Sequence, residues 1–214
     1  VHPIQVVVNM EDPKKQHWET VYTTKVENEV SWFQKQPQTS IQLIQACKVP
    51  KDAKIIDIGG GDSYLMDCLL ELGYTNLFLL DISAAAIERA KIRLGDNAKN
   101  VTFIVLDSLY FQSNENFDVW HDRASFHFFT AANEIEQYKA NLIANTNQNA
   151  HIIIGSFSEE GPLRCSGLPI TQYSVEKMES VFGNDFELEN CFTEDHQTPF
   201  ETIQNFIFCH YKKL

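Results

Sequence analysis

From Lys54 onward the chain alternates between two hydrophobic patterns. "KIIDIGG", "NLFLLDIS", "VTFIVLDS", "FDVWHD" and "HIIIGSF" are short apolar runs, each the length of a buried strand. Between them apolar residues recur at helical spacing. One helix is predicted from Tyr64 to Leu72, stopped by Gly73, and a second from Ala84 to Leu94, capped by Ser83 and stopped by Gly95. Ile135, Tyr138 and Leu142 mark a third, with Thr130 or Asn133 as its cap, and Val175, Met178 and Val181 a fourth. Strands apolar on both faces and joined by helices imply a parallel sheet covered on both sides. The chain then ends in "FELENCFTED" and "TIQNFIFCHYKK", two strand patterns with no helix between them. These are expected to pair antiparallel at one edge. The fold class is α/β, a doubly wound sheet with a closing hairpin.

Ahead of Lys54, Asp12 as cap and Pro13 at the first helical position start a helix with Trp18, Val21 and Tyr22 on one face. "ENEVSWFQKQP" breaks that pattern and reads as a loop presenting Trp32 and Phe33. A further helix runs from Thr39 to about Lys48. Residues 1–52 are therefore read as N-terminal helices and a lid segment, packed on a core domain of residues 53–214.

Composition narrows the classes. A chain of 214 residues that is 43% hydrophobic has enough material for one compact domain. Its net charge of −12, from 29 acidic and 17 basic side chains, repels a phosphate backbone, so nucleic acid is not an expected partner. The longest apolar runs are too short to cross a bilayer, and no membrane association is expected. "VHPIQVVVNM" lacks the basic region of a signal peptide; Met10 is read as the natural first residue and Val1–Asn9 as an added leader. The five cysteines are odd in number and form no C-x-x-C pair, which predicts reduced thiols in a cytoplasmic protein and no zinc ribbon.

The candidate chemistry starts at "KIIDIGGGDSYLMDCLLELG", a strand, a glycine turn and a helix. In such sheets ligands bind beyond the carboxyl ends of the strands, where strand order reverses. A dinucleotide site asks for G-x-G-x-x-G, but Tyr64 stands at the third glycine position, and no Gly-Lys-Ser/Thr follows for a P-loop. Instead Asp57 precedes the glycines, Asp81 ends the next strand and Asp107 ends the one after. Any one of these acids alone reads as a turn or cap residue. Three at adjacent strand ends make a negative crevice, poor for a pyrophosphate and good for a cationic sulfonium bearing an amino group.

In order and spacing, "IIDIGGG", "FLLDIS", "VLDS" and "FDVWHDR" resemble the successive motifs of class I S-adenosylmethionine-dependent methyltransferases. The resemblance runs from Trp18 onward and implies a Rossmann-like seven-strand sheet whose last strand is antiparallel. It implies that Asp57 lies near the methionine amino group and that Gly59, Gly60 and Gly61 line the cofactor. Asp81 would hold the ribose hydroxyls, Ile82 would lie against the adenine, and Asp107 with Ser108 would meet the adenine amino group. S-adenosylmethionine is then the expected cofactor, with His121 and Trp32 also beside it.

Methyl transfer is an in-line displacement, so holding the nucleophile in place is the larger expected contribution and a general base the smaller one. His121, Asp122 and Arg123 end the fourth strand and His127 follows; these four are the candidate catalytic residues, with the histidines as candidate bases. The spacing of the histidines and the acid matches no common zinc pattern, so no metal is expected. "EEGPLRCSGLPITQYS", with Arg164 and Cys165, and "TEDHQTPFETIQ", with His196, are read as substrate-facing loops, Cys165 being a packed, inert thiol.

"DVWHDRASF" resembles both thiopurine S-methyltransferase-type enzymes and seven-strand lysine methyltransferases of elongation factors; "HWETVYTTKVENEVSWFQ" resembles the second group. The favoured acceptor is a small-molecule nucleophile such as a thiol. A protein lysine is the alternative, and a non-catalytic S-adenosylmethionine-binding regulator the second alternative. A dehydrogenase, with Asp81 selecting NAD, is a further reading already weakened by Tyr64.

Overall fold

A computed structural model describes residues 12–214. The reading of Met10 and Val1–Asn9 lies outside them. Seven strands form one sheet: β1 (Lys54–Ile58), β2 (Asn76–Asp81), β3 (Val101–Val105), β4 (Phe117–Arg123), β5 (Thr146–Phe157), β8 (Phe186–Gln197) and β9 (Ile203–Lys213). Their order is β3-β2-β1-β4-β5-β9-β8. β1 to β5 are parallel, while β9 runs antiparallel to both β5 and β8. The doubly wound sheet and the antiparallel closing pair are as the pattern predicts, with β9 inserted between β5 and β8. The short strands β6 (Arg164–Cys165) and β7 (Leu168–Pro169) make a separate two-strand hairpin.

Helices α2 (Gln38–Ala46), α3 (Leu65–Glu71) and α4 (Ala84–Leu94) cover one face. Ile44, Leu69 and Ile87 pack there against Ile55, Leu79, Val119 and Ile153. Helices α5 (Ala132–Ala144) and α6 (Val175–Phe182) cover the other, with Tyr138, Leu142, Met178 and Phe182 against Trp120, Ile152 and Tyr211. α1 (Pro13–Thr24) lies over α4. Its start is as predicted, for Asp12 accepts from the Lys14 amide at 2.9 Å. Ser83 caps α4 and Gly95, at φ +54°, ends it.

Three expectations are corrected. Neither Thr130 nor Asn133 caps α5; Ala131 is the cap residue, and the Glu134 carboxylate accepts from the Thr130 and Ala131 amides, both at 3.3 Å. The cysteines are not all reduced: Cys191 and Cys209, directly opposite on β8 and β9 with Cα atoms 4.2 Å apart, form a disulfide. Cys47, Cys68 and Cys165 remain free. Finally, most of "TEDHQTPFETIQ" is strand, since Thr193–Gln197 belongs to β8 and Ile203–Gln204 to β9. Among the described residues no helix is long and apolar enough to cross a membrane.

Candidate active site

Strand order reverses between β1 and β4, and the main cleft opens above their carboxyl ends. Two kinds of side chain meet there. One set, from the strand ends and the turns that follow them, is Asp57, Gly59, Gly60, Asp62, Asp81, Ile82, Asp107 and Ser108. The other set, mostly aromatic, is Trp18, Tyr22, Trp32, Phe33, Arg123, Phe128 and Cys165.

The acids are held, not merely exposed. Asp81 accepts from the Gly61 amide at 2.9 Å and the Ser83 amide at 2.8 Å. Burial outweighs these bonds and pushes its carboxyl up to about 7. Asp57, nearly inaccessible, accepts from His121 Nδ1 at 2.7 Å, and His121 Nε2 meets Ser40 Oγ at 2.8 Å. Both ring nitrogens of His121 are therefore engaged, which makes it a brace for Asp57. Asp107 caps a short turn by accepting from the Leu109 amide at 2.9 Å, and burial raises its pKa.

The glycine turn owes its composition to close packing. Gly59 and Gly61 have φ of +63° and +55°, the left-handed region. A Cβ on Gly61 would strike the Tyr22 hydroxyl, and one on Gly60 would strike the Asp57 carboxylate and Leu79.

The four candidate catalytic residues part company. His121 and Arg123 line the cleft, whereas Asp122 and His127 do not. Alternation along β4 puts Asp122 on the opposite sheet face from its neighbours. It accepts from Tyr138 Oη at 2.8 Å and from the Ser125 and Phe126 amides at 3.1 and 3.0 Å, a structural knot between β4 and α5. Burial raises its carboxyl to about 6. His127 is fully buried and stacks on Phe157, ring centroids 4.5 Å apart. Neither nitrogen has a partner among the described residues, and burial, aided by Arg123, holds it neutral with its pKa pushed down to about 3. The expectation that Asp122 and His127 act on the acceptor is corrected on this geometry.

Arg123 is half-buried. Its guanidinium donates to the Trp32 carbonyl at 3.1 Å and lies over the Phe206 ring, 5.1 Å from its centroid. Burial lowers its pKa to about 10. Among the described residues it has no salt-bridge partner; Glu194 and Asp57 act on it only through space. Trp18 forms edge contacts with Trp32 at 5.8 Å and Phe128 at 5.1 Å. Cys165 is buried and its thiol is pushed up to about 12 by burial, as expected of an inert cysteine. His196 is not in this cleft: it binds the Ser31 carbonyl at 2.7 Å and Gln34 at 3.2 Å, tying β8 to the loop after α1.

Sequence reasoning passed over Glu19 and Asp62. Glu19 accepts from the Ala84 amide at 2.6 Å, the Ala85 amide at 3.1 Å and Ser83 Oγ at 3.2 Å, so α1 supplies a second cap to α4. Nothing local in "HWET" announces that bond, because its partner is 65 residues away.

Residues 50–203 match the family model described as a methyltransferase domain. The chain belongs to that family. It carries a methyltransferase domain over most of its length. EEF1A lysine methyltransferase 2 of Mus musculus is 30% identical over 108 residues, covering 44% of this chain and 43% of that protein. The chain thus spans about half the length of the curated relatives it matches. Among solved structures, one reported as "Conversion of a Disulfide Bond into a Thioacetal Group during Echinomycin Biosynthesis" superposes with a TM-score of 0.76 at 19% identity, covering 93% of this chain and 92% of that one. The N-methyltransferase NodS of Bradyrhizobium japonicum WM9, in complex with S-adenosyl-L-homocysteine, gives 0.67 at 13% identity, covering 94% and 99%.

Proposed function

We propose that this methyltransferase acts on a small nucleophile that enters beside Arg123, and that a thiol is its preferred class. The observation that supports this is the Arg123 guanidinium on the cleft wall with no bridging carboxylate among the described residues. Two like unit charges about 4 Å apart repel by about 4 kcal/mol at an effective dielectric of about 20, and opposite charges attract equally. A lysine ammonium is therefore disfavoured at that wall, whereas a thiolate is stabilised there. The guanidinium lowers the thiol's pKa from its ordinary ~8.5 and so replaces a general base.

On the cofactor side the residues fit the group. Asp81 has about four acceptor positions and uses two on amides, which leaves a pair for the ribose hydroxyls. Asp57, braced by His121, takes the methionine amino group; Asp107 and Ser108 take the adenine edge, with Ile82 against its face. When bound, S-adenosylmethionine supplies the electrophilic methyl group. Within residues 12–52, Trp18, Tyr22 and Trp32 serve as a lid that excludes water from the sulfonium.

The second reading, a lysine acceptor, is favoured by the stretch of similarity to EEF1A lysine methyltransferase 2. Formation of S-adenosylhomocysteine with a panel of small thiols, small amines and purified elongation factor 1A separates the two. Turnover with thiols that rises with pH is expected; turnover with elongation factor alone overturns the small-acceptor reading.

A further inference from the structure

At the other end of α2 from Ser40 lies a second group of polar side chains that methyl transfer does not use. Cys47 caps the carboxyl end of α2, His151 stands on β5 and His210 on β9. Antiparallel pairing sets Ile153 opposite His210 and His151 opposite Lys212, so the two histidines are diagonal neighbours on one sheet face. His151 Nδ1 and His210 Nε2 are 2.9 Å apart, and Cys47 Sγ is 3.6 Å from the same His210 nitrogen. All three ligand atoms lie within 4.8 Å of one another.

A fourth donor faces them. Register slips between Leu188 and Asn190 on β8, so Glu189 is the extra residue of a β-bulge. Bulges re-aim side chains, and the Glu189 carboxylate lies 3.6 Å from His210 Nε2 and 3.9 Å from His151 Nδ1. We infer that Cys47, His151, His210 and Glu189 form a binding site for a divalent transition-metal ion of the zinc class.

The spacing suits that ion. With Zn–N of about 2.05 Å and Zn–S of about 2.3 Å, tetrahedral ligation separates two nitrogens by about 3.3 Å and sulfur from nitrogen by about 3.6 Å. The donor set of one thiolate, two imidazoles and a carboxylate is borderline-soft, as zinc and its neighbours prefer. Burial holds both imidazoles in the neutral form that ligates. Without metal the Cys47 thiol lies 3.2 Å from the Leu43 carbonyl as a donor, and binding would release that proton. The consequence is structural: the ion would pin the far end of the helix that presents Ser40 to His121.

The test is a cobalt titration of the chelator-stripped full chain. One equivalent of Co²⁺ should bind with intense tetrahedral ligand-field bands and a thiolate-to-cobalt charge-transfer band, and Zn²⁺ should displace it. Cys68→Ser/Cys165→Ser, in which Cys47 is the sole free thiol, should keep the band. Cys47→Ser should lose it, and His151→Ala should weaken binding at least ~10-fold. S-adenosylmethionine binding checks that the variants are folded, and the double variant decides the matter where Cys47→Ser does not fold. Absence of the charge-transfer band in wild type, or its loss in the double variant, overturns the site and leaves a hydrogen-bonded Cys–His–His chain.

Discussion

Asp57, Asp81 and Asp107 reach the cleft from three neighbouring strand ends, each within two residues of its strand. Trp18, Trp32, Arg123, Phe128 and Cys165 reach the same cleft from α1, the loop after it, the end of β4, the turn that follows and the β6–β7 hairpin. The proposed cofactor wall is thus a local consequence of one repeated unit, strand followed by acid. The proposed acceptor wall is an assembly of segments far apart in the chain, held by contacts such as Arg123 to the Trp32 carbonyl.

The largest expected effect breaks the cofactor wall. Asp81→Ala removes a carboxylate whose hydrogen bonds are worth about 1.5–3 kcal/mol each, so calorimetry should show at least ~100-fold weaker S-adenosylmethionine binding. Retained affinity would mean that the two walls are wrongly assigned. On the other wall, Arg123→Gln should raise the KM for a thiol acceptor roughly 20-fold, the equivalent of one charge-assisted bond, while cofactor affinity stays within about 2-fold. A parallel loss of cofactor binding would erase the distinction between the walls.

The smallest effect sharpens it. Asp81 must be ionised to accept from two hydroxyls, and burial places its pKa at about 7. Cofactor affinity should therefore fall by about 10-fold between about pH 8 and about pH 6, with proton release on binding that vanishes in Asp81→Asn. In the free protein the sign is opposite. A carboxyl whose folded pKa is raised favours folding while protonated, and that contribution is lost as pH rises through about 7.

Sequence alone was enough for the alternation of strands and helices, the caps Asp12 and Ser83, the stop at Gly95 and the three acids. All of these follow from interactions within a few residues, which periodicity and side-chain type encode directly. It was also enough to put His121 and Arg123 at the crevice, because strand ends face it. Asp122 and His127 escaped that reasoning. Adjacent strand residues point to opposite faces, His127 lies in the short turn Phe126–Phe128 after β4, and only the packing of Tyr138 and Phe157 shows where each side chain sits. The Cys191–Cys209 bond, the Glu19 cap on α4 and the meeting of Cys47 with His151 and His210 were decided by tertiary structure alone. Each joins residues brought together by strand register or helix placement, and no spacing along the chain records which register the folded sheet adopts.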